Sequence, residues 1–326
     1  MASLLENLTN PALLFFILGI TAVQINNDLK IPETSSKFIS IYLLLSIGFK
    51  GGNELSHSTV DLEIMGSLLL GVLLASAVPV LAFFLLKQKV NIKNAGAIAA
   101  SYGSVSAVTF VTAISFLDFE GVLFDGYMIA VMASMEAPAI VVGILLIHLY
   151  CRKNQEEFGA PGAFSSVFNH SINNASVLLI LGSLVIGYLA SDQQAEGIKP
   201  FTTDIFKGFL AVFLLDMGIR AGSQLGSMRE NGPFLVLFAA LLPFCNGLLA
   251  LGLASLLTHS IGNLLLFAIL GASASYIAVP AAFKNAVPEA NPGLYLPMAL
   301  GITFPVKIIV GIPFYYYLIK NVVVIA

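Results

Sequence analysis

Ten apolar runs, each close to or above the length of a membrane-crossing helix, are strung along this 326-residue chain with mostly short polar breaks between them. They cover 11–28, 38–53, 62–86, 94–116, 125–150, 174–190, 203–222, 233–258, 263–284 and 295–319. A helix needs about 20 apolar residues to cross a hydrocarbon core of roughly 30 Å. The runs are long and do not alternate with a period of two, so helices are predicted rather than barrel strands. Only 10% of residues are charged while 58% are hydrophobic, against roughly a quarter charged in a soluble domain. Too few charges remain to cover a watery surface, which excludes a soluble enzyme, a disordered chain and a disulfide-rich secreted module. A net charge of −3 offers no basic surface for nucleic acid. Cys151 and Cys245 lie far apart and form no metal-spaced pair. No Lys or Arg precedes the first run, so a retained span is predicted there rather than a cleaved signal peptide.

Basic residues set the orientation. Lys30 and Lys37 flank loop one, Lys87, Lys89 and Lys93 occupy loop three, and Arg152 and Lys153 begin loop five. Arg229 lies in loop seven and Lys284 at loop nine, whereas the even loops carry only Lys199. Lys50, near the outer end of span two, is an exception. Positive residues stay on the cytoplasmic side, so an inner-membrane protein with both termini outside is predicted.

The longest polar interruption, 151–173, divides the chain into a first five-helix repeat, 1–150, and a second, 174–326. The halves resemble each other in order. LLLSIGFKGG at 43–52 matches VFLLDMGIRAG at 212–222, and Asn94, Ser104 and Ser106 of span four match Asn263, Ser273 and Ser275 of span nine. Met135-Glu136-Ala137-Pro138 stands opposite Ile302-Thr303-Phe304-Pro305. A half with an odd number of spans has an inverted partner, a plan used by secondary transporters. Chance similarity among Gly- and Ala-rich helices is the competing account.

Gly103-Ser104-Val105-Ser106 and Gly271-Ala272-Ser273-Ala274-Ser275 fall near mid-span. Helices broken there expose backbone N–H groups and the positive ends of half-helix dipoles. Spans four and nine run in opposite directions, so their second halves would point two N-termini at each other near the midplane. That makes a pocket for a small anion without a fixed positive side chain. Carbonyls freed at the breaks, with hydroxyls, suit Na⁺. Small residues also let membrane helices pack closely, and Ser can bond its own helix; the match of two such stretches in paired spans favours the pocket. Thr109 lies within a turn of Ser106. Glu136 sits in an apolar run, where a carboxylate costs about 2.5 kcal/mol or more; it either serves a cation site, is protonated, or lies nearer the interface. Asp216 and Arg220, four apart, read as a structural ion pair. The four histidines show no metal spacing, and Tyr315, Tyr316 and Tyr317 read as an interfacial belt. No phosphate-binding loop, HExxH or acid–base pair beside a nucleophile is present, so an enzyme is not predicted.

These motifs, with Pro280, the stretch Pro288-Glu289-Ala290-Asn291-Pro292 and Gly301-Ile302-Thr303-Phe304-Pro305-Val306, resemble the sodium-dependent bicarbonate transporter family, including the cyanobacterial high-affinity bicarbonate permeases. The resemblance implies an all-α polytopic membrane protein of about ten helices in two inverted five-helix repeats, with broken helices four and nine crossing at the midplane. It implies bicarbonate held by Ser104, Ser106, Ser273 and Ser275 with the backbone of Gly103 and Ala272. It also implies Na⁺ as the coupling ion, set here near Ser106, Thr109, Glu136 and Ser275, and elevator-like alternating access in a homo-oligomer, a trimer. Three departures stand out. Tyr276 replaces an Asp after the serine run, Glu136 replaces an Asp, and the linker is shorter than the family's hydrophilic insert. The first removes a Na⁺ carboxylate and the third weakens the case for a PII-like regulator. Two other functions stay open: Na⁺- or H⁺-coupled transport of another small carboxylate or anion, and a non-transporting membrane sensor on the same fold.

Overall fold

The structure, a computed structural model, describes residues 11–57, 61–153, 175–226 and 232–323. The described residues form helices joined by turns and short non-helical segments, with no strand among them. The helices are α1 (Pro11–Gln24), α2 (Glu33–Ser56), α3 (Leu62–Leu86), α4 (Ile92–Gly103), α5 (Ala107–Glu120) and α6 (Tyr127–Lys153). They continue as α7 (Ala175–Leu189), α8 (Asp192–Lys199), α9 (Phe206–Gln224), α10 (Gly232–Ala254), α11 (Ile261–Gly271) and α12 (Ala278–Ala286). The last run, α13 (Pro292–Val323), contains wide π turns at Met298–Thr303, Lys307–Gly311 and Ile319–Val323. Most of the linker, and Arg229, lie outside the described residues.

Polar side chains start the helices where the sequence leaves the membrane. The first-turn N–H groups have no partner within a helix. Asp61 accepts from the Ile64 N–H, Asn91 from Asn94 and Ser260 from Asn263, capping α3, α4 and α11. Ser191 and Gln194 form a reciprocal capping box at α8, a short polar helix within loop six that hydrophobic periodicity did not signal. Gly121 ends α5 at φ 66°, a left-handed conformation that suits glycine.

Five helical stretches are long and apolar enough to cross a membrane: Leu62–Leu86, Ile92–Glu120, Tyr127–Arg152, Gly232–Ala254 and Pro292–Val323. Shorter apolar helices accompany them, and α3 and α10 turn Leu69, Leu73, Leu81, Leu237, Leu241 and Leu249 outward. Such apolar faces mark an integral membrane protein. By contrast α4, α5 and α11 are buried on nearly every side.

Two glycine-lined contacts hold the outer pairs. A Cβ at Gly218 of α9 would lie 2.1 Å from the Phe16 oxygen of α1, and one at Gly19 would lie 2.3 Å from the Leu215 oxygen. Likewise a Cβ at Gly187 of α7 would lie 2.1 Å from the Phe49 oxygen of α2, and one at Gly52 would lie 1.9 Å from the Leu184 oxygen. Close backbone approach of this kind is how small residues drive association in lipid. The α1–α9 pair joins the chain's first and second halves, and so does the α2–α7 pair.

The connections fall into two sets. Gln24, the last residue of α1, reaches the Gly222 carbonyl near the end of α9, at the loop-one and loop-seven ends, and Lys93 in the first turn of α4 pairs with Glu289 of loop nine at 3.0 Å, at the loop-three and loop-nine ends. His57 meets Asp192 at 3.1 Å, joining loops two and six, and the Asp125 N–H donates to Asn263 Oδ1 at 2.9 Å, joining loops four and eight. Odd loops meet odd loops and even meet even.

The ion pair between Arg220 and Asp216 is present, with Nε–Oδ2 at 2.8 Å, and Ser36 of α2 completes it by donating to the same carboxylate. The aromatic belt is corrected: Tyr315 and Tyr316 are buried, and only Tyr317 faces outward. The Tyr315 hydroxyl turns inward to the Phe244 carbonyl, which satisfies a polar group that lipid would leave unpaired.

Candidate functional site

Both serine-bearing spans are interrupted. Span four divides into α4 and α5 around Ser104–Ser106, and span nine into α11 and α12 around Ala272–Ile277. The Ser275 N–H donates to the Ser101 carbonyl at 2.7 Å, and the Ser101 hydroxyl donates back to the Ser275 carbonyl. The Ser106 N–H donates to Ser273 Oγ at 3.3 Å. Each interruption therefore supplies partners for backbone groups that the other has released.

Ser106 organises the start of α5. Its Oγ accepts from both the Thr109 N–H at 3.3 Å and the Thr109 hydroxyl at 3.0 Å. The Phe110 N–H goes to the Ser106 carbonyl. Ala107 and Val108, whose first-turn N–H groups have no intrahelical partner, border a cavity of about 40 Å³. Ser106, Ser275, Tyr276 and Glu136 also line it, with Leu43, Leu44, Val111, Ile180 and Phe213 forming apolar walls. That volume admits a few water-sized groups. The site thus combines a helix start, two serines and a carboxylate in an apolar shell.

The remaining expected residues stand behind this lining. Gly103 packs against Pro79 of α3, where a Cβ would lie 2.2 Å from the proline ring. The Ser104 hydroxyl is buried and has no hydrogen-bond partner among the described residues. Ala272 closes the end of α11. Ser273 Oγ donates to the Ile269 carbonyl at 3.1 Å and is buried. Hence Ser106, Ser275 and Glu136 share one cavity, whereas Gly103, Ser104, Ala272 and Ser273 are buried outside its lining.

Two features depart from the sequence reading. Lys307 of α13 is buried and donates to Ser273 Oγ at 3.1 Å and to the Ile269 carbonyl at 3.4 Å. A lysine side chain therefore reaches the junction of the breaks, although it does not line the cavity itself. Its signal was its isolation as the only charged residue between Glu289 and Lys320. Ser101 is the second: only its place three residues before Ser104 marked it, and it carries the tie between the breaks. Nearby, the Tyr102 and Thr303 hydroxyls lie 2.9 Å apart, joining α4 to the first wide turn of α13.

Tyr276, Ser40, Leu44, Ser176, Phe213 and Ile277 line both this cavity and a larger one of about 680 Å³. The larger cavity extends to Glu33, Lys37, Arg220 and Gln224, at the loop-one and loop-seven end. The Tyr276 hydroxyl lies 3.6 Å from Met217 Sδ and interacts with the Ser106 side chain. Its ring meets Phe304 edge-on at 5.8 Å.

The donor set suits Na⁺ in kind. Hydroxyls, carbonyls and one carboxylate are hard oxygen ligands. No cluster of three His, Cys, Asp or Glu side chains able to hold a metal occurs among the described residues.

The Na⁺-dependent bicarbonate transporter superfamily has a family profile that matches residues 11–320. No curated protein matches the chain at a significant level.

Proposed function

The chain belongs to the Na⁺-dependent bicarbonate transporter superfamily, and from that premise we propose that it imports bicarbonate by secondary active transport coupled to Na⁺. The family is one of transporters, not of enzymes. The observation that carries the reading is the cavity where Ser106, Ser275 and Glu136 meet at the start of α5. A helix start attracts a monovalent anion, through N–H groups and the half-helix dipole. Glu136, with Ser106, Thr109 and Ser275, supplies oxygens for the cotransported cation. Ser273, through the Ser106 N–H, and Ser101, through Ser275, hold the two breaks in register beside the substrate.

The reading extends to architecture. Ten crossings in two inverted repeats, 1–150 and 174–326, are supported by the separation of odd from even loops and by the like packing of α1 on α9 and α2 on α7. In this arrangement the breaks lie near the membrane midplane and both termini lie outside the inner membrane. The larger cavity then leads from the site to the cytoplasmic side, past Tyr276. Transport proceeds by alternating access, with the domain holding α4, α5, α11 and α12 sliding in a homo-oligomer such as a trimer.

The test is uptake of labelled bicarbonate into proteoliposomes. Uptake is expected with an inward Na⁺ gradient and lost when choline replaces Na⁺. Equal uptake in the two salts sinks the coupling. A small organic carboxylate is the second reading, favoured by the apolar lining of the cavity; competition by formate, acetate or lactate separates the cargoes.

A further inference from the structure

Lys307 has no part in the transport reading above, yet it is buried at the junction of the two breaks. A charged side chain in the apolar interior of a membrane protein is costly, so its surroundings need to offset that cost. Its neighbours are oxygens: Ser273 Oγ at 3.1 Å and the Ile269 carbonyl at 3.4 Å. Ile269 lies in the last turn of α11, the end at which a helix presents its unsatisfied carbonyls and the negative end of its dipole. Hydroxyl and carbonyl oxygens at a half-helix C-terminus are what a bound alkali cation takes in a membrane transporter. Lys offers three donors and no acceptor, and both of these oxygens accept from it.

The two halves differ here. Glu136 lines the cavity at the start of α5, whereas span ten has Thr303 in the related place and Lys307 four residues later. Thr303 is turned to the Ala239 carbonyl at 2.7 Å and to Tyr102. One break therefore faces a carboxylate, which seeks a cation, and the other already holds an amine. Lys307 begins a π turn of α13, a distortion often found at functional positions.

We propose that the Lys307 ammonium is a tethered cation, filling at the end of α11 a site of the class that would otherwise bind a free alkali ion. The inference rests on the transport reading for its purpose, since it leaves the Glu136 side as the place for a mobile Na⁺. Through Ser273 Oγ, which also accepts from the Ser106 N–H, the amine helps fix the start of α5. Lys307 is thus a positioning residue, acting through Ser273.

The experiment uses the purified full chain and its Lys307→Gln and Lys307→Met variants. Thermal unfolding is followed while NaCl, KCl or choline chloride is titrated at constant ionic strength. Both variants are expected to melt several degrees lower than wild type in choline. In Lys307→Gln a saturable rise with Na⁺ is expected to restore the midpoint, in addition to any response of the wild type, because a ligand bound only to the folded state stabilises it. In proteoliposomes the Na⁺ dependence of uptake by Lys307→Gln is expected to become steeper. An Na⁺ response identical to wild type in Lys307→Gln overturns the proposal. So does failure of both variants to fold in every salt, since a vacated cation site must be refillable by a free ion. Wild-type uptake indifferent to Na⁺ would instead overturn the coupling, while the thermal comparison still decides the role of Lys307.

Discussion

Ser275 of span nine donates its N–H to the Ser101 carbonyl of span four at 2.7 Å, and the Ser101 hydroxyl returns a hydrogen bond to the Ser275 carbonyl. This reciprocal pair closes two interrupted helices on each other at a place where lipid and water could satisfy neither. An unpaired backbone group in an apolar interior costs about 1–3 kcal/mol, so the tie also explains why the breaks persist. It sets where Ser275 and Ser106 face the cavity.

Ser101→Ala removes one side of that pair and leaves the Ser275 carbonyl a partner short. The expected cost is about 1–3 kcal/mol of stability, read as a lower thermal midpoint in detergent. Uptake is expected to fall further than stability does, because Ser275 would no longer be held against the cavity. Full uptake in a destabilised variant would mean that the tie serves packing alone.

The class of this protein was legible from its apolar runs, and the breaks were legible from Gly103 to Ser106 and Gly271 to Ser275, because two matched glycine- and serine-bearing stretches fall in paired spans. Glu136 was legible as a carboxylate in an apolar stretch. Which residues line the cavity was not. Ser104 and Ser106 have the same chemistry, and only the turn of the backbone sends one into packing and the other to the cap of α5. Ser101 looked like an ordinary helical serine, since its partner lies 174 residues away. Lys307 was visible as a charge but not as a neighbour of Ser273, because that contact depends on how α13 passes the end of α11. The tyrosines near the end of α13 were misread because hydropathy does not say which side of a helix faces a neighbour.

Ser104→Ala and Ser273→Ala are expected to differ. The Ser104 hydroxyl is buried without a hydrogen-bond partner among the described residues, so its removal is expected to change stability by less than about 1 kcal/mol. Ser273 Oγ receives Ser106 and Lys307, and Ser273→Ala strands the Ser106 N–H and leaves Lys307 with the Ile269 carbonyl. Bicarbonate uptake is expected to fall at least tenfold in Ser273→Ala, equivalent to about 1.4 kcal/mol, with the oligomer still folded by size-exclusion chromatography. Wild-type uptake in both single variants and in the double variant would leave the serines as packing residues.

Gly218→Ala places a methyl group against the Phe16 carbonyl, and Gly187→Ala does the same at Phe49. Forcing bulk into such contacts costs about 1–3 kcal/mol. A control is at hand in Gly182, where a Cβ meets nothing within 4 Å; Gly182→Ala is expected to be neutral or slightly stabilising, since alanine favours helix over glycine by about 1 kcal/mol. Thermal midpoints of the three variants check this. Equal midpoints would refute the close helix contact.

Tyr276 lines both the small cavity and the larger one. Tyr276→Ala merges them, at a cost of about 3–5 kcal/mol if the site does not collapse. Loss of the ring is expected to admit bulkier anions, so that lactate competes with bicarbonate uptake more strongly than in wild type. A competition series from formate to lactate measures this. The same order and strength of competition in wild type and variant would show that Tyr276 does not set the size limit.

Among the described residues, Glu136 supplies the only carboxylate on the cavity lined by Ser106 and Ser275. Glu136→Gln keeps its shape and removes the charge that would draw a cation into an apolar site. Bicarbonate uptake by the variant is expected to need at least tenfold more Na⁺ for half-maximal rate, again about 1.4 kcal/mol. At saturating Na⁺ the KM for bicarbonate is expected to change little, because the anion is assigned to the helix start at Ala107 and Val108. A parallel loss of bicarbonate affinity with unchanged Na⁺ dependence would move Glu136 from the cation to the anion. An Na⁺ curve that overlays wild type would remove it from both.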